Sequence, residues 1–486
     1  MVGSFMMAGL RKTCVQVATC ARLLTAAVRI KSASPSTRPA FATFFLLHAR
    51  LECSCYIYHC NCSWPLRTGH PLLLPTPLTR GTNARSFLPM AARGFSRSPP
   101  DMLPLLLVVL PSLLLSTGSM AQGAAGGPEG ASAAAPSSRT GGAAGGVQVP
   151  AMFIFGDSLI DNGNNNDLAS LAKANYYPYG IDFASGPTGR FSNGYTIVDE
   201  IADLLGLPLI PAHSQASSTD DAAHGLNYAS AAAGILDITG QNFVGRIPFN
   251  QQIRNFETTL DQITANLGAD DVGSAISRCI FFVGMGSNDY LNNYLMPNYA
   301  TRNQYNADQF AELLTQQYTR QLTSLYNLGA RRFVLSGVGS LGCIPSILAQ
   351  NPFSRCSDDV DQLVVPFNSR VRSMVDNLNA NLPGAKFILV DVFHMFRDIL
   401  RDPASYGFSM IDRGCCGIGR NRGQITCLPL QTPCPNRDQY VFWDAFHPTA
   451  AVNIILARKA FFGGPEEVYP MNIRQLATVD LRPTKQ

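Results

Sequence analysis

Ser158 stands in Gly156-Asp157-Ser158-Leu159, directly after the apolar run Ala151-Met152-Phe153-Ile154-Phe155, and Asp444-Ala445-Phe446-His447-Pro448 lies far downstream. A serine hydroxyl is a weak nucleophile until a base takes its proton, and a histidine serves as that base when an acid fixes its tautomer. These two segments supply all three groups. Ser158 is the candidate nucleophile and His447 the candidate base, later the acid toward the leaving group. Asp444, three residues before the histidine, is the candidate partner for Nδ1. Acyl transfer also needs donors where the oxyanion develops, each worth about 2.7–4 kcal/mol. Asn288 in Gly286-Ser287-Asn288-Asp289 can offer its side-chain amide, and the Ser158 N–H is a second donor. The small residues of Asn227-Tyr228-Ala229-Ser230-Ala231-Ala232-Ala233-Gly234 permit a third, backbone, donor.

Each feature also has an ordinary structural use: Ser158 or Asp444 as a helix N-cap, and the alanines as helix packing. Ile160 occupies the place of the second glycine in a Gly-x-Ser-x-Gly elbow, which disfavours an ordinary α/β-hydrolase. The remaining body histidines, His213, His224 and His394, are read as surface or core residues.

The elements that must position these groups alternate along the chain. Apolar runs at Ala151–Phe155, Cys279–Val283, Arg332–Leu335 and Phe387–Val390 read as strands. Helical patterns cover Tyr195–Leu205, Ala307–Leu328, Val360–Leu382 and Thr449–Phe462, with Pro448 expected in the first turn of the last. Continuous apolar strands separated by long helices predict a parallel sheet covered on both faces. Right-handed crossovers then bring the strand C-termini, with Ser158 and Asn288, to one edge, where ligands bind in open α/β sheets. Asp161–Phe191 and Gly240–Asn255 are read as loops shaping the pocket.

Composition bounds the rest. The formal charge of +4 averages two unlike regions: residues 1–121 carry 12 Lys+Arg against Glu52 and Asp101, leaving 25 basic and 31 acidic residues in 122–486. The body is therefore mildly acidic and offers no basic patch for nucleic acid. Met102–Ser116 is an apolar run preceded by Arg93 and Arg97 and followed by Ser119-Met120-Ala121. That pattern reads as a secretory signal peptide within 90–121, cut near Ala121, and not as a membrane span. Residues 1–89 are expected to be a non-structural extension, with translation beginning at Met90 or Met102. Residues 122–149 read as a Gly/Ala-rich linker, 150–476 as the catalytic domain and 477–486 as a tail. Cys279 lies in a strand, whereas Cys343, Cys356, Cys415, Cys416, Cys427 and Cys434 lie in loop-like sequence. Six loop cysteines suit disulfides in an oxidising compartment better than zinc, whose usual close cysteine pairs are missing. No Asn-x-Ser/Thr sequon follows Ala121.

The order Phe155–Asn165 (Phe-Gly-Asp-Ser-Leu-x-Asp-x-Gly-Asn-Asn), Asn-Tyr-Ala-Ser, Gly-Ser-Asn-Asp-Tyr and Asp-Ala-Phe-His-Pro resembles the GDSL esterase/lipase branch of the SGNH hydrolases. Gly189-Arg190-Phe191-Ser192-Asn193-Gly194 and Leu341-Gly342-Cys343-Ile344-Pro345 are similar to its large plant group. The resemblance covers about Pro150 to Leu476. It implies a three-layer α/β/α sandwich with a parallel, flavodoxin-like sheet, no metal or other cofactor, and Ser158, Asp444 and His447 as the catalytic set. It further implies an oxyanion hole of Ser158, Ala232 and Asn288. The family has glycine where this chain has Ala232 (or Ala231 beside it), and a positive φ there would cost an alanine roughly 1–2 kcal/mol. A Cys343–Cys356 disulfide is implied as well, with two more among Cys415, Cys416, Cys427 and Cys434.

The expected protein is a secreted, monomeric serine esterase or lipase acting on small-molecule or lipid esters, with no nucleic-acid partner and no transmembrane segment in the mature chain. An acyltransferase of extracellular polyester assembly and a catalytically weakened binding protein are the alternatives.

Overall fold

Five-residue apolar strands form the centre of the sheet: β1 (Met152–Gly156), β2 (Ile280–Gly284), β3 (Arg332–Ser336) and β4 (Lys386–Val390). They pair in parallel and in chain order, so that Gly156, Gly284, Ser336 and Val390 form one row across their C-terminal ends. The computed structural model describes residues 149–481. The readings made for 1–89, 90–121, nearly all of the 122–149 linker and the last five tail residues lie outside the described residues.

Alternate side chains of each strand enter different cores, as the period of two requires. Phe153, Phe155, Phe281, Val283, Phe333 and Leu335 point to the layer formed by helices Phe249–Leu267, Ala307–Asn327 and Asp358–Asn381. Met152, Ile154, Ile280, Phe282, Val334 and Ile388 point to helices Ile197–Leu205, Val392–Arg401 and Ala450–Phe462. The three expected layers are therefore present, around a mostly parallel sheet. On the outer edge of β1 the segment 224–230 continues the ladder, with Ile154 N–H donating to Leu226 O and Tyr228 N–H to Ile154 O. On the opposite edge the two-residue strand β7 (Val468–Tyr469) pairs antiparallel with β4, an exception to the parallel expectation. A small parallel pair, β5 (Met410–Gly414) and β6 (Tyr440–Phe442), stands apart from the main sheet and carries the loop with Asp444 and His447.

Two local readings need correction. Gly240–Asn255 is not all loop, because the Phe249–Leu267 helix begins inside it. Phe249, Ile253 and Phe256 recur at helical spacing and are buried against the sheet, which decides the conformation. Pro448 is not in the first turn of its helix. Thr449 is the N-cap, its hydroxyl accepting from Val452 N–H, so that helix starts at Ala450 and Pro448 bridges to Phe442 instead. No helix among the described residues is long and apolar enough to cross a membrane.

Candidate active site

The turn after β1 is closed by Asp157, whose backbone carbonyl accepts from Ile160 and Asp161 N–H while its carboxylate accepts from Leu159 N–H at 3.0 Å. Gly156 is compulsory: a Cβ there would lie 2.3 Å from Ile160 Cδ1 and 2.9 Å from Gly284 O. Ser158 is left half-buried at the sheet edge. Its Oγ lies 2.8 Å from His447 Nε2, and His447 Nδ1 lies 2.8 and 2.9 Å from the two Asp444 oxygens. The structure thus joins residues 289 positions apart into one hydrogen-bonded chain.

Asp444 is fully buried, which acts to raise its pKa. His447's charge and hydrogen bond, the Tyr179 hydroxyl and Phe446 N–H outweigh that burial and hold the carboxyl below its ordinary value. Tyr179 donates to Asp444 Oδ2 at 2.5 Å, and burial together with the adjacent carboxylate raises the phenol well above its usual range. It stays protonated and remains a donor. The Asp444 loop is itself clamped. Cys415 and Cys416 N–H donate to Phe442 and Trp443 carbonyls, and the disulfides Cys415–Cys434 and Cys416–Cys427 tie down that strand. Cys343–Cys356 is the third disulfide, beside Leu341–Cys343, and Ser346 N–H donates to Ala445 O from the same region. Among the described residues Cys279 is the free thiol, and it is buried.

On the side where the oxyanion is expected, Ala232 has φ +66°, the left-handed backbone that alanine disfavours. What holds it there is a set of polar clamps on the neighbouring backbone. Asp161 Oδ2 accepts from Ala231 N–H at 2.9 Å, and Asn165 Nδ2 donates to Ala231 O at 3.1 Å. Asp289 accepts from Ile235 and Leu236 N–H and from the Thr239 hydroxyl. Gly240 closes over the turn so tightly that a Cβ there would lie 2.0 Å from Ala232 O. Among the described residues neither Ser158 N–H nor Ala232 N–H has an acceptor. Asn288 accepts from Asn292 at 2.6 Å and donates one Nδ2 hydrogen to Ala233 O at 2.9 Å, which leaves the other free. Ser158, Ala232, Asn288 and His447 all line one cleft of about 1490 Å³, its open mouth included, with mostly apolar walls.

All five residues singled out in the sequence therefore meet at one place. Sequence reasoning gave no role to Asp161, Asn165, Asp289 or Tyr179. The first three lie inside the short motifs quoted above, and their Asx chemistry beside a glycine-rich turn was a usable signal. Tyr179 had none, since only the fold brings it to Asp444. Asp391 was also passed over. It stands three residues before His394, at the spacing of the Asp444/His447 pair, and the two lie 2.8 Å apart. That histidine is exposed in the first turn of the Val392–Arg401 helix, which Asp391 caps, and among the described residues it meets no nucleophile, so equal spacing does not make a second site. Gly189–Gly194 has a structural role: its Arg190 forms a buried ion pair with Asp199 of the Ile197–Leu205 helix, and its Asn193 accepts from Ala450 N–H at the start of the helix that follows His447.

The family described as GDSL-like Lipase/Acylhydrolase matches residues 152–460. A GDSL esterase/lipase of Arabidopsis thaliana is 66% identical over 333 residues, covering 68% of this chain and 86% of that protein. Two further Arabidopsis thaliana GDSL esterase/lipases are each 52% identical, over 334 and 337 residues, covering 68% of this chain and 89% and 92% of theirs. The chain belongs to the GDSL-like lipase/acylhydrolase family.

Proposed function

We propose that this protein is a serine esterase or lipase that cleaves carboxylic esters through an acyl-enzyme. The observation that carries the reading is the 2.8 Å Ser158–His447–Asp444 chain opening onto an apolar cleft with unoccupied N–H donors. Ser158 Oγ attacks the ester carbonyl as His447 Nε2 takes its proton, and Asp444 stabilises the imidazolium. The carbonyl oxygen becomes an oxyanion within reach of Ser158 N–H, Ala232 N–H and the Asn288 amide. His447 then gives its proton to the departing alkoxide, and the acyl group stays on Ser158. A water molecule, deprotonated by the same imidazole, releases the acid and regenerates the serine.

Ala232 does not argue for a merely binding protein. The feature the family's glycine would supply, a free N–H on a left-handed residue, is present in the alanine as well. The apolar lining favours acyl and lipid esters over charged substrates. Action outside the cell is part of the same reading: three disulfides in the described body suit an oxidising compartment, as does the signal-like segment 90–121. The direct test is hydrolysis of p-nitrophenyl esters by the wild type and by Ser158→Ala. The reading requires turnover that disappears in the variant, and activity independent of Ser158 would refute it.

A further inference from the structure

The walls of the cleft are of two kinds. Around its mouth stand Leu159, Leu171 and Phe446, exposed to 38%, 75% and 37%. Its inner part is bounded by Phe282, Ile344, Phe396, Phe442 and Leu456, all buried members of the core between the sheet and the helices Val392–Arg401 and Ala450–Phe462. The cleft therefore runs from Ser158 into what would otherwise be solid core.

The sheet makes room for it. On this face the last position of each strand falls in the row Gly156, Gly284, Ser336, Val390, and its second and third members line the cleft. Gly156 is roofed by Ile160, but Gly284 is different. It has no positive φ, and a Cβ added there would meet nothing closer than Ile160 Cδ1 at 3.4 Å, Phe282 Cε1 at 3.5 Å and Ser336 Cβ at 3.7 Å, ordinary contacts. Neither backbone conformation nor crowding by the fold requires glycine at 284. What a larger side chain would occupy is the inner cleft.

We propose that this inner limb holds the acyl chain of a medium- or long-chain ester, and that Gly284 is a specificity-determining residue that keeps the limb open. This rests on the esterase reading and names its substrate class. The acyl group is the part that fits the limb, because it remains bonded to Ser158 through both half-reactions. The alcohol must take a proton from His447 and leave through the open mouth. Each methylene seated in such a limb raises kcat/KM by roughly fourfold, the equivalent of about 0.8 kcal/mol.

The test is the ratio of kcat/KM on p-nitrophenyl dodecanoate to that on p-nitrophenyl butyrate, for wild type, Gly284→Ala and Gly284→Val. A second wall variant, Val392→Phe, narrows the limb from the opposite side and covers the case in which the valine variant fails to fold. The expected result is a ratio lowered at least tenfold by Gly284→Val or Val392→Phe and by less in Gly284→Ala. A parallel series varying only the alcohol chain of acetate esters should show no such change. Ser158-dependent hydrolysis of the butyrate with an unmoved ratio in the folded variants overturns the limb assignment and leaves the esterase reading intact. Sensitivity that follows the alcohol chain overturns it too. Absence of Ser158-dependent hydrolysis on every ester removes both.

Discussion

Asp444 and Asp161 are equally buried, lie in the same site, and are driven in opposite directions. Asp444 belongs to the base half, the disulfide-tied region around Cys415–His447, and is held below the ordinary carboxyl value by His447 and Tyr179 against the cost of burial. Asp161 belongs to the nucleophile half, with the 157–165 turn, the 229–236 segment and Asp289. Burial pushes Asp161 up to about 6 although it accepts several backbone N–H bonds. Asp157 reaches about 7 and Asp289 about 6, again chiefly through burial. Backbone and hydroxyl donors do not offset the desolvation of Asp161 and Asp289, nor does His447's charge acting without a hydrogen bond on Asp157, whereas at Asp444 the directly bonded imidazole and the Tyr179 hydroxyl together do. One half is built to keep a negative charge for chemistry. The other uses its carboxyl groups as clamps on backbone N–H groups, and that clamping holds Ala232 in the cleft wall with its N–H unpaired.

The largest effects should come from severing the base half from the nucleophile. Ser158→Ala, His447→Ala and Asp444→Asn are each expected to lower kcat by roughly 10⁴-fold or more, read by steady-state ester hydrolysis. In the proposed oxyanion hole, Asn288→Ala should lower kcat about 10²–10³-fold with little change in KM, since its free hydrogen would serve the developing charge. If KM rose while kcat held, Asn288 would be a ground-state contact and that half of the comparison would be wrong.

Tyr179→Phe separates the two halves further, because it removes a donor from Asp444, and with it a longer contact to the Thr426 hydroxyl, and takes no hydrogen bond from the nucleophile half. The wild-type carboxyl is depressed, so the stability it contributes is present above its unfolded value and is lost as pH falls through the folded one. Without Tyr179 the depression shrinks, and acid inactivation should begin at higher pH than in wild type. Chemical denaturation at neutral pH should show a loss of about 1.5–3 kcal/mol, the range for a hydrogen bond to a charged group. A pH–rate profile superimposable on wild type would count against Asp444 being tuned by the phenol.

Ala232→Gly should relax the φ +66° backbone and stabilise the fold by about 1 kcal/mol, the 1–2 kcal/mol of strain less the added freedom of the unfolded chain. Turnover should stay within about threefold, because the N–H is unchanged. The last effect concerns Asp157 and leaves turnover aside. Its pKa is raised, so its contribution to stability is fully present below about 4 and is lost as pH rises toward about 7. Asp157→Asn, which can still accept from Leu159 N–H, should remove that decline. The gap between variant and wild-type melting temperature would then move in the variant's favour between pH 5 and pH 8.

Much of this is legible in the amino-acid sequence. The strands announced themselves because four apolar runs are buried on both faces, and Ser158, Asn288, Asp444 and His447 sit in short segments whose chemistry is local. The helix at Phe249–Leu267 was missed because its polar surface dilutes the pattern of Phe249, Ile253 and Phe256. Tyr179 was unreadable for a different reason: its hydroxyl acts on a carboxylate 265 residues away, and no local periodicity encodes that distance. Gly284 looked like any strand-end glycine until the space around its missing side chain was known.

The central claim is that His447 and Asp444 turn Ser158 into a nucleophile that forms a covalent acyl-enzyme. Its most direct test is intact-protein and peptide mass spectrometry after treatment with a fluorophosphonate, comparing wild type with Ser158→Ala and His447→Ala. A single phosphonyl group on Ser158, absent from Ser158→Ala and slowed by orders of magnitude in His447→Ala, is the predicted result. Labelling at another residue, or labelling of Ser158 at an equal rate without His447, would contradict it.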